Sequence, residues 1–297
     1  MKKVCIFGTC RVSALPAKCI KELNLMEGGM QSKLYETEDK IRIHTQPITY
    51  SSKLADVRDI LKYMRGEIYQ DKDPNTDKTF FDIFFRGITQ RAFGGNKHVR
   101  LPREIVDGND NDYDLYIFEI GSVREILFKT EKYGKEYYNK NLLWNIDIGI
   151  HNTIDFQRED FQIIDTKQNI ESIFKEINQL CNNKNILIIG PYLINDKIVQ
   201  QDADEQNIYI ENISEQTKYI NDYRIDVQNK LKLCIEKYDN IDYFDMTELI
   251  QQNDILKDQY HFNVEGQFML SCYILNWINL KIYGKRTYNW MDQKIYR

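Results

Sequence analysis

A chain of 297 residues with a formal net charge of -5 is long enough to enclose one large core, and residues 1–297 are taken as a single domain. The apolar share of 42% and the interspersed charges exclude a disordered chain or a coiled coil. The acidic balance excludes a surface built mainly to neutralise nucleic-acid phosphates, and no apolar run reaches the roughly 18 residues needed to span a bilayer. After Lys2 and Lys3, the stretch Val4–Phe7 is too short for a secretory h-region, which points to a cytoplasmic protein. Cysteines at 5, 10, 19, 181, 234 and 272 show neither the pattern of a disulfide framework nor metal-ligand spacing. Reduced thiols, no bound metal, and no nucleic-acid or membrane partner are the expectation.

In chain order, Val4-Cys5-Ile6-Phe7 is a short β-rich run ended by Gly8, and Ser13 to Leu23 reads as a helix with Pro16 in its first turn. Residues 24–112 fit no simple alternation. They hold one amphipathic helix near Lys53–Met64, an aromatic patch at Phe80–Phe85 and glycines at 87, 94 and 95, and they read as an insertion over the sheet. Leu115–Phe118, Ile186–Ile189 and Ile241–Phe244 are further strand-like runs, each closed by a turn or a polar residue. Between and after them, Ile170, Ile173, Phe174, Ile177 and Leu180 form one helical face; Ile220, Tyr223, Val227, Leu231, Cys234 and Tyr238 form another. Asn263 caps a last helix from Val264 to about Ile282, and residues 283–297 read as a surface tail. Continuous apolar strands alternating with amphipathic helices predict an α/β fold with a doubly wound, mostly parallel sheet in a flavodoxin-like three-layer sandwich. In such sheets ligands bind at the carboxyl ends of the strands.

Two segments carry chemistry at that edge. Gly8-Thr9-Cys10 sits where the first strand turns toward a helix, and unpaired N–H groups there stabilise a thiolate or an oxyanion. Asp258-Gln259-Tyr260-His261 lies just before the capped last helix. A His in that loop can take the thiol proton, and an Asp three residues earlier can accept from the other ring nitrogen and fix the tautomer. The plainer readings are a buried inert cysteine and a loop Asp and His that only cap the helix.

In order and context, these blocks resemble the SGNH (GDSL-like) hydrolases and acyltransferases, with cysteine in place of the nucleophilic serine. The cysteine variant is similar to the group proposed to acetylate capsular polysaccharide. That resemblance implies an acyltransferase or esterase with a Cys10–His261–Asp258 triad, a small-molecule or glycan acceptor, acetyl-CoA or another acyl-CoA as donor, and no required cofactor. It also implies an oxyanion block after the central strand. Gly121-Ser122-Val123 occupies that place without the family's Asn, leaving Gly8, Gly121 and Ser122 as the candidate donors. Gly87 and Gly94 both stand as candidates for the family's second-block glycine.

Arg11 and Arg124 lie near strand ends, where a guanidinium can hold a carboxylate or phosphate, and Glu119 ends a strand close to the same edge. Of His44, His98 and His151, the last is the best placed to reach a pocket. Cys5-x5-Arg11 also matches the phosphate-loop spacing of cysteine-dependent phosphatases, although Val12 stands where a Ser or Thr is expected and the acid would have to be Asp73-Pro74. A phosphatase and a non-catalytic glycan- or protein-binding module on an SGNH-like fold are the competing readings.

Overall fold

The computed structural model describes residues 2–8, 12, 21–23, 33–37, 40–47, 53–65, 112–130, 135–138, 161–259 and 261–285. Strand β1 (Lys3–Gly8) is the hub of a seven-stranded sheet, and its immediate neighbours are β4 (Arg42–Pro47) and β5 (Leu115–Glu119), both parallel to it. Beyond β5 come β9 (Asn185–Ile189) and β10 (Ile241–Phe244), also parallel. Beyond β4, β3 (Lys33–Glu36) and β2 (Lys21–Leu23) extend the sheet in antiparallel sense. The order is therefore β10-β9-β5-β1-β4-β3-β2.

The strands β1, β5 and β9 read as largely apolar runs because both faces are covered. Cys5, Phe7, Tyr116, Phe118, Ile186, Ile188, Ile241 and Tyr243 point to one side, where α1 (Leu54–Met64), α2 (Lys167–Leu180) and α4 (Ile213–Ile235) bury Leu61, Phe174 and Leu231. The intervening residues Val4, Ile6, Leu115, Ile117, Leu187, Ile189 and Phe244 point to the other. There, α3 (Asp196–Glu205), α5 (Thr247–Gln252) and α6 (Val264–Tyr283) supply Ile198, Leu249 and Trp277. This period-two division is the three-layer α/β arrangement expected from the sequence. Asn263 caps α6 as expected, its side chain accepting from Gly266 N at 2.9 Å.

Three departures have physical causes. Lys21–Leu23, taken as the end of a helix, pairs with β3 instead, so backbone pairing at the sheet edge overrides helical periodicity. Residues 33–47 are not laid over the sheet as part of an insertion; β4 pairs directly with β1 over Lys3–Gly8. A second, three-stranded antiparallel sheet, β7-β6-β8, is formed by β6 (Glu125–Thr130), β7 (Lys135–Tyr138) and β8 (Phe161–Ile164), a region to which the sequence assigned no element. Within the proposed insertion, residues 24–32, 38–39, 48–52 and 66–111 lie outside the described residues, as does the tail beyond 285, while the amphipathic helix expected near Lys53–Met64 is α1. Among the described residues no helix is long and apolar enough to cross a membrane.

Candidate active site

Among the parallel strands the chain passes from β1 to β4 on one side and then to β5, β9 and β10 on the other, so the topological switch point lies between the carboxyl ends of β1 and β5. Gly8 ends one and Glu119 the other. A Cβ on Gly8 would stand 2.9 Å from Val12 Cβ and 3.1 Å from Glu119 Oε2, and both neighbours are buried. Only glycine lets the backbone pass this close, so the start of the Gly8-Thr9-Cys10 turn is pressed against the end of β5. Thr9, Cys10 and Arg11 themselves lie outside the described residues, as do His98 and His151.

The second block is built as a closed loop. Leu256 and Phe262 form an antiparallel bridge, Lys257 N donates to His261 O at 2.9 Å, and Asn263 N donates to Ile255 O at 2.9 Å. Inside this loop Asp258 Oδ1 accepts from the His261 backbone N–H at 2.7 Å, and His261 Nδ1 lies 2.7 Å from Asp258 Oδ2. An ionised carboxylate only accepts, so Nδ1 carries the proton and Nε2 is left as the acceptor. The side chain of His261 is 42% exposed against 14% for Asp258, which leaves the imidazole reachable while the carboxylate stays behind it.

The loop is held at the carboxyl edge by its neighbours. Tyr192, just past β9, donates its hydroxyl to Gln259 O at 3.2 Å and packs its ring 5.6 Å from Phe262. Arg224 on α4 donates to Tyr192 O at 2.8 Å and to Gln259 O at 3.3 Å. From α3, Gln201 Nε2 donates to Lys257 O at 3.0 Å, and Asp202 Oδ2 accepts from Gln259 N at 3.2 Å. Since β9 pairs with β5 up to Glu119 and Ile189, this anchoring puts the Asp258–His261 loop on the same sheet edge as Gly8. Sequence reasoning missed Tyr192, Gln201, Asp202 and Arg224; the available signal was a polar stripe on α4, Asn221, Arg224 and Gln228, at helical spacing.

Ser122 is tied to α1 and α4. Its carbonyl accepts from Leu54 N at 3.0 Å, and its Oγ accepts from Tyr223 OH at 2.9 Å and from Arg124 N at 3.2 Å. What it has left to offer an oxyanion is its own hydroxyl hydrogen. Arg124 stacks on Tyr223, 4.9 Å from the ring centroid, and sits half-exposed 3.8 Å from Asp165. Gly121 precedes this knot and is only partly buried.

Cys5 is a poor nucleophile in this setting. It lies within β1, 2% exposed, in the core beside Phe7 and Tyr116, and burial pushes its thiol well above the ordinary range. A phosphatase thiolate has to sit in a loop with its charge stabilised, so the Cys5-x5-Arg11 reading fails at its first residue. Cys181, Cys234 and Cys272 are likewise buried. His44 is engaged in β4, its Nδ1 2.7 Å from Tyr113 OH, and burial lowers it to about 4. Among the described residues no group of His, Cys, Asp and Glu could hold a metal ion. A separate cleft of about 430 Å³ opens at the end of β10, between Lys232 of α4, the capping Glu236 just past it, and Thr247, Glu248 and Gln251 of α5.

No family model matches the chain, and no curated protein is similar to it in sequence. Among solved structures it is similar to a candidate GDSL-like lipase from Parabacteroides merdae, at 11% identity over 91% of this chain and 92% of that one, with a TM-score of 0.37. That score is too low to carry an argument about fold or chemistry, and the α/β assignment rests on the strand order and the two helical layers themselves.

Proposed function

We propose that the chain is a thiol-dependent acyltransferase or esterase of SGNH type, in which Cys10 carries the acyl group. The observation that supports it best is the Asp258–His261 pair, bonded through Nδ1, with the imidazole 42% exposed at the carboxyl edge of the sheet where β1 ends at Gly8. In this reading His261 Nε2 takes the Cys10 thiol proton as sulfur attacks the acyl carbonyl, and returns it to the leaving group as the tetrahedral intermediate collapses. An acceptor hydroxyl, or water, then attacks the thioester while Nε2 takes its proton, and the thiol is released. Asp258 holds the tautomer and stabilises the imidazolium in both halves. A thioester passes its acyl group readily to a hydroxyl, which favours transfer to a glycan acceptor from an acyl-CoA donor, with acetyl the simplest group.

Incubation with acetyl-CoA or an activated acetyl ester, followed by peptide mass mapping, tests this. An acetyl increment on the Cys10 peptide is expected in the wild type and in Cys5→Ala, and should be lost in Cys10→Ala. If Cys10 stays unmodified by every acyl donor, acyl transfer is refuted and a binding module on the same fold replaces it.

A further inference from the structure

Helix α3 grips the histidine loop on both sides of Asp258. Gln201 holds the carbonyl before it and Asp202 holds the N–H after it, and these two residues are adjacent in sequence. Asp202 is 5% exposed. Burial and the nearby Asp258 carboxylate raise it above its usual value, while the Gln259 N–H opposes them. A buried carboxylate is costly to place beside another one. An amide or a hydroxyl could have accepted the same N–H without that cost.

We propose that Asp202 is a positioning residue whose negative charge, held at the Gln259 N–H one residue on from Asp258, stabilises the imidazolium of His261 when the Cys10 thiol ionises. It does so while its hydrogen bond to Gln259 fixes the loop. This rests on the thiol-nucleophile reading. The other charges around the loop set the background against which this one acts. Lys197 is paired with Asp254 at 3.0 Å, Lys257 and Glu265 are exposed to screening water, and Glu205 and Arg224, bonded to an amide and to two carbonyls, keep their full charges. Among these, Asp202 is the buried acid that couples to Asp258.

The test is the rate of Cys10 alkylation by iodoacetamide as a function of pH, with the Cys10 peptide quantified by mass spectrometry. Asp202→Asn keeps an oxygen for Gln259 N but deletes the charge, and should move the alkylation midpoint up by roughly 0.5–1 pH unit. Asp202→Glu should restore most of it. Gln200→Ala, on the exposed face of the same helix and outside the grip on the loop, should leave the midpoint in place. Should the Asn amide fail to pack, Asp202→Ser removes the same charge with a smaller acceptor. His261→Ala separates the two levels of the argument. If it moves the midpoint and charge-deleting variants at Asp202 do not, the role of Asp202 is overturned alone. If His261→Ala leaves the curve unchanged, the thiol–imidazole reading itself falls.

Discussion

Asp258→Asn is nearly isosteric, yet it should disable the histidine. In the wild type, Oδ1 accepts the His261 backbone N–H at 2.7 Å and also lies 2.9 Å from Nδ1, while Oδ2 lies 2.7 Å from Nδ1. An asparagine that keeps its oxygen at the Oδ1 position puts its amide nitrogen where Oδ2 was, so an amide N–H confronts the ring N–H. The relief is to move the ring proton to Nε2, where it blocks acceptance of the thiol proton. The flipped rotamer keeps the tautomer but strands the backbone N–H, at about 1–3 kcal/mol. Either way the imidazolium loses its counterion and a charge-assisted bond. We assign this about 2–4 kcal/mol, which is roughly 30- to 1,000-fold in turnover at neutral pH. With a ring 42% exposed and screened by water, the lower half of that range is expected. Nitrogen-15 spectra of the imidazole report the tautomer directly, and acyl-donor turnover reports the rate; affinity for donor should barely change. A variant with the wild-type tautomer and wild-type turnover would refute the assignment of Asp258 as the orienting group.

Two further outcomes test the frame around the site. Asp59 is buried beside Arg58, whose Nε donates to it at 2.8 Å, yet burial outweighs that attraction and raises its carboxyl to about 6. Because the folded value lies above the unfolded one, ionisation of this group costs stability above pH 6, and that cost fades as pH falls from about 6 to about 4. Asp59→Asn should therefore raise Tm at pH 8 and lose that advantage at pH 4.5. A variant less stable at pH 8 than at pH 4.5, relative to wild type, would show that the Arg58 pairing dominates. At the end of β9, a Cβ on Gly190 would fall 1.9 Å from the hydroxyl oxygen and 2.6 Å from Cζ of the buried Tyr243. Gly190→Ala should cost about 1–3 kcal/mol in urea unfolding, partly recovered with Tyr243→Phe, and an unchanged midpoint would mean the ring yields freely.

The parallel core was legible because strands covered on both faces are mostly apolar: Val4–Phe7, Leu115–Phe118 and Ile186–Ile189 are unbroken, and Ile241–Phe244 is interrupted only by Asp242, which accepts from Trp277 Nε1 at 2.8 Å. The first three are interior strands, and Ile241–Phe244 is the parallel edge. What was not legible lies on the side of the sheet beyond β1. Strand β4 reads Arg-Ile-His-Thr-Gln-Pro, which has the alternation of a half-buried strand, yet it pairs with the hub. A polar strand next to the centre is tolerated because His44 finds Tyr113 OH and the apolar positions Ile41 and Ile43 face the second core cluster. The antiparallel β7-β6-β8 sheet escaped notice because its strands carry charged and polar residues among the apolar ones, a weak period-two signal.

For the site, the sequence exposes chemistry better than it exposes placement. Asp258 and His261 announce themselves by residue type and spacing. Residues that put them at the right edge do not, because they act on main chain. On α4, Asn221 Nδ2 donates to Ile194 O at 2.8 Å, Arg224 donates to Tyr192 O and Gln259 O, and Gln228 Nε2 donates to Pro191 O at 2.7 Å and to Asp245 and Thr247. These positions, i, i+3 and i+7, line one stripe of the helix, and Tyr223 beside them binds Ser122. One helix thus ties the loops after β5, β9 and β10 to the histidine loop. Any residue type at 191, 192, 194 or 259 would offer the same carbonyl, so the loops carry no mark of being held. The information sits instead in the polar stripe of α4, which looks like an ordinary solvated face until the carbonyls it reaches are known. A residue-type motif is visible in the segment that does the chemistry, whereas the precision of its position is written in a distant helix whose side chains never touch the reacting atoms.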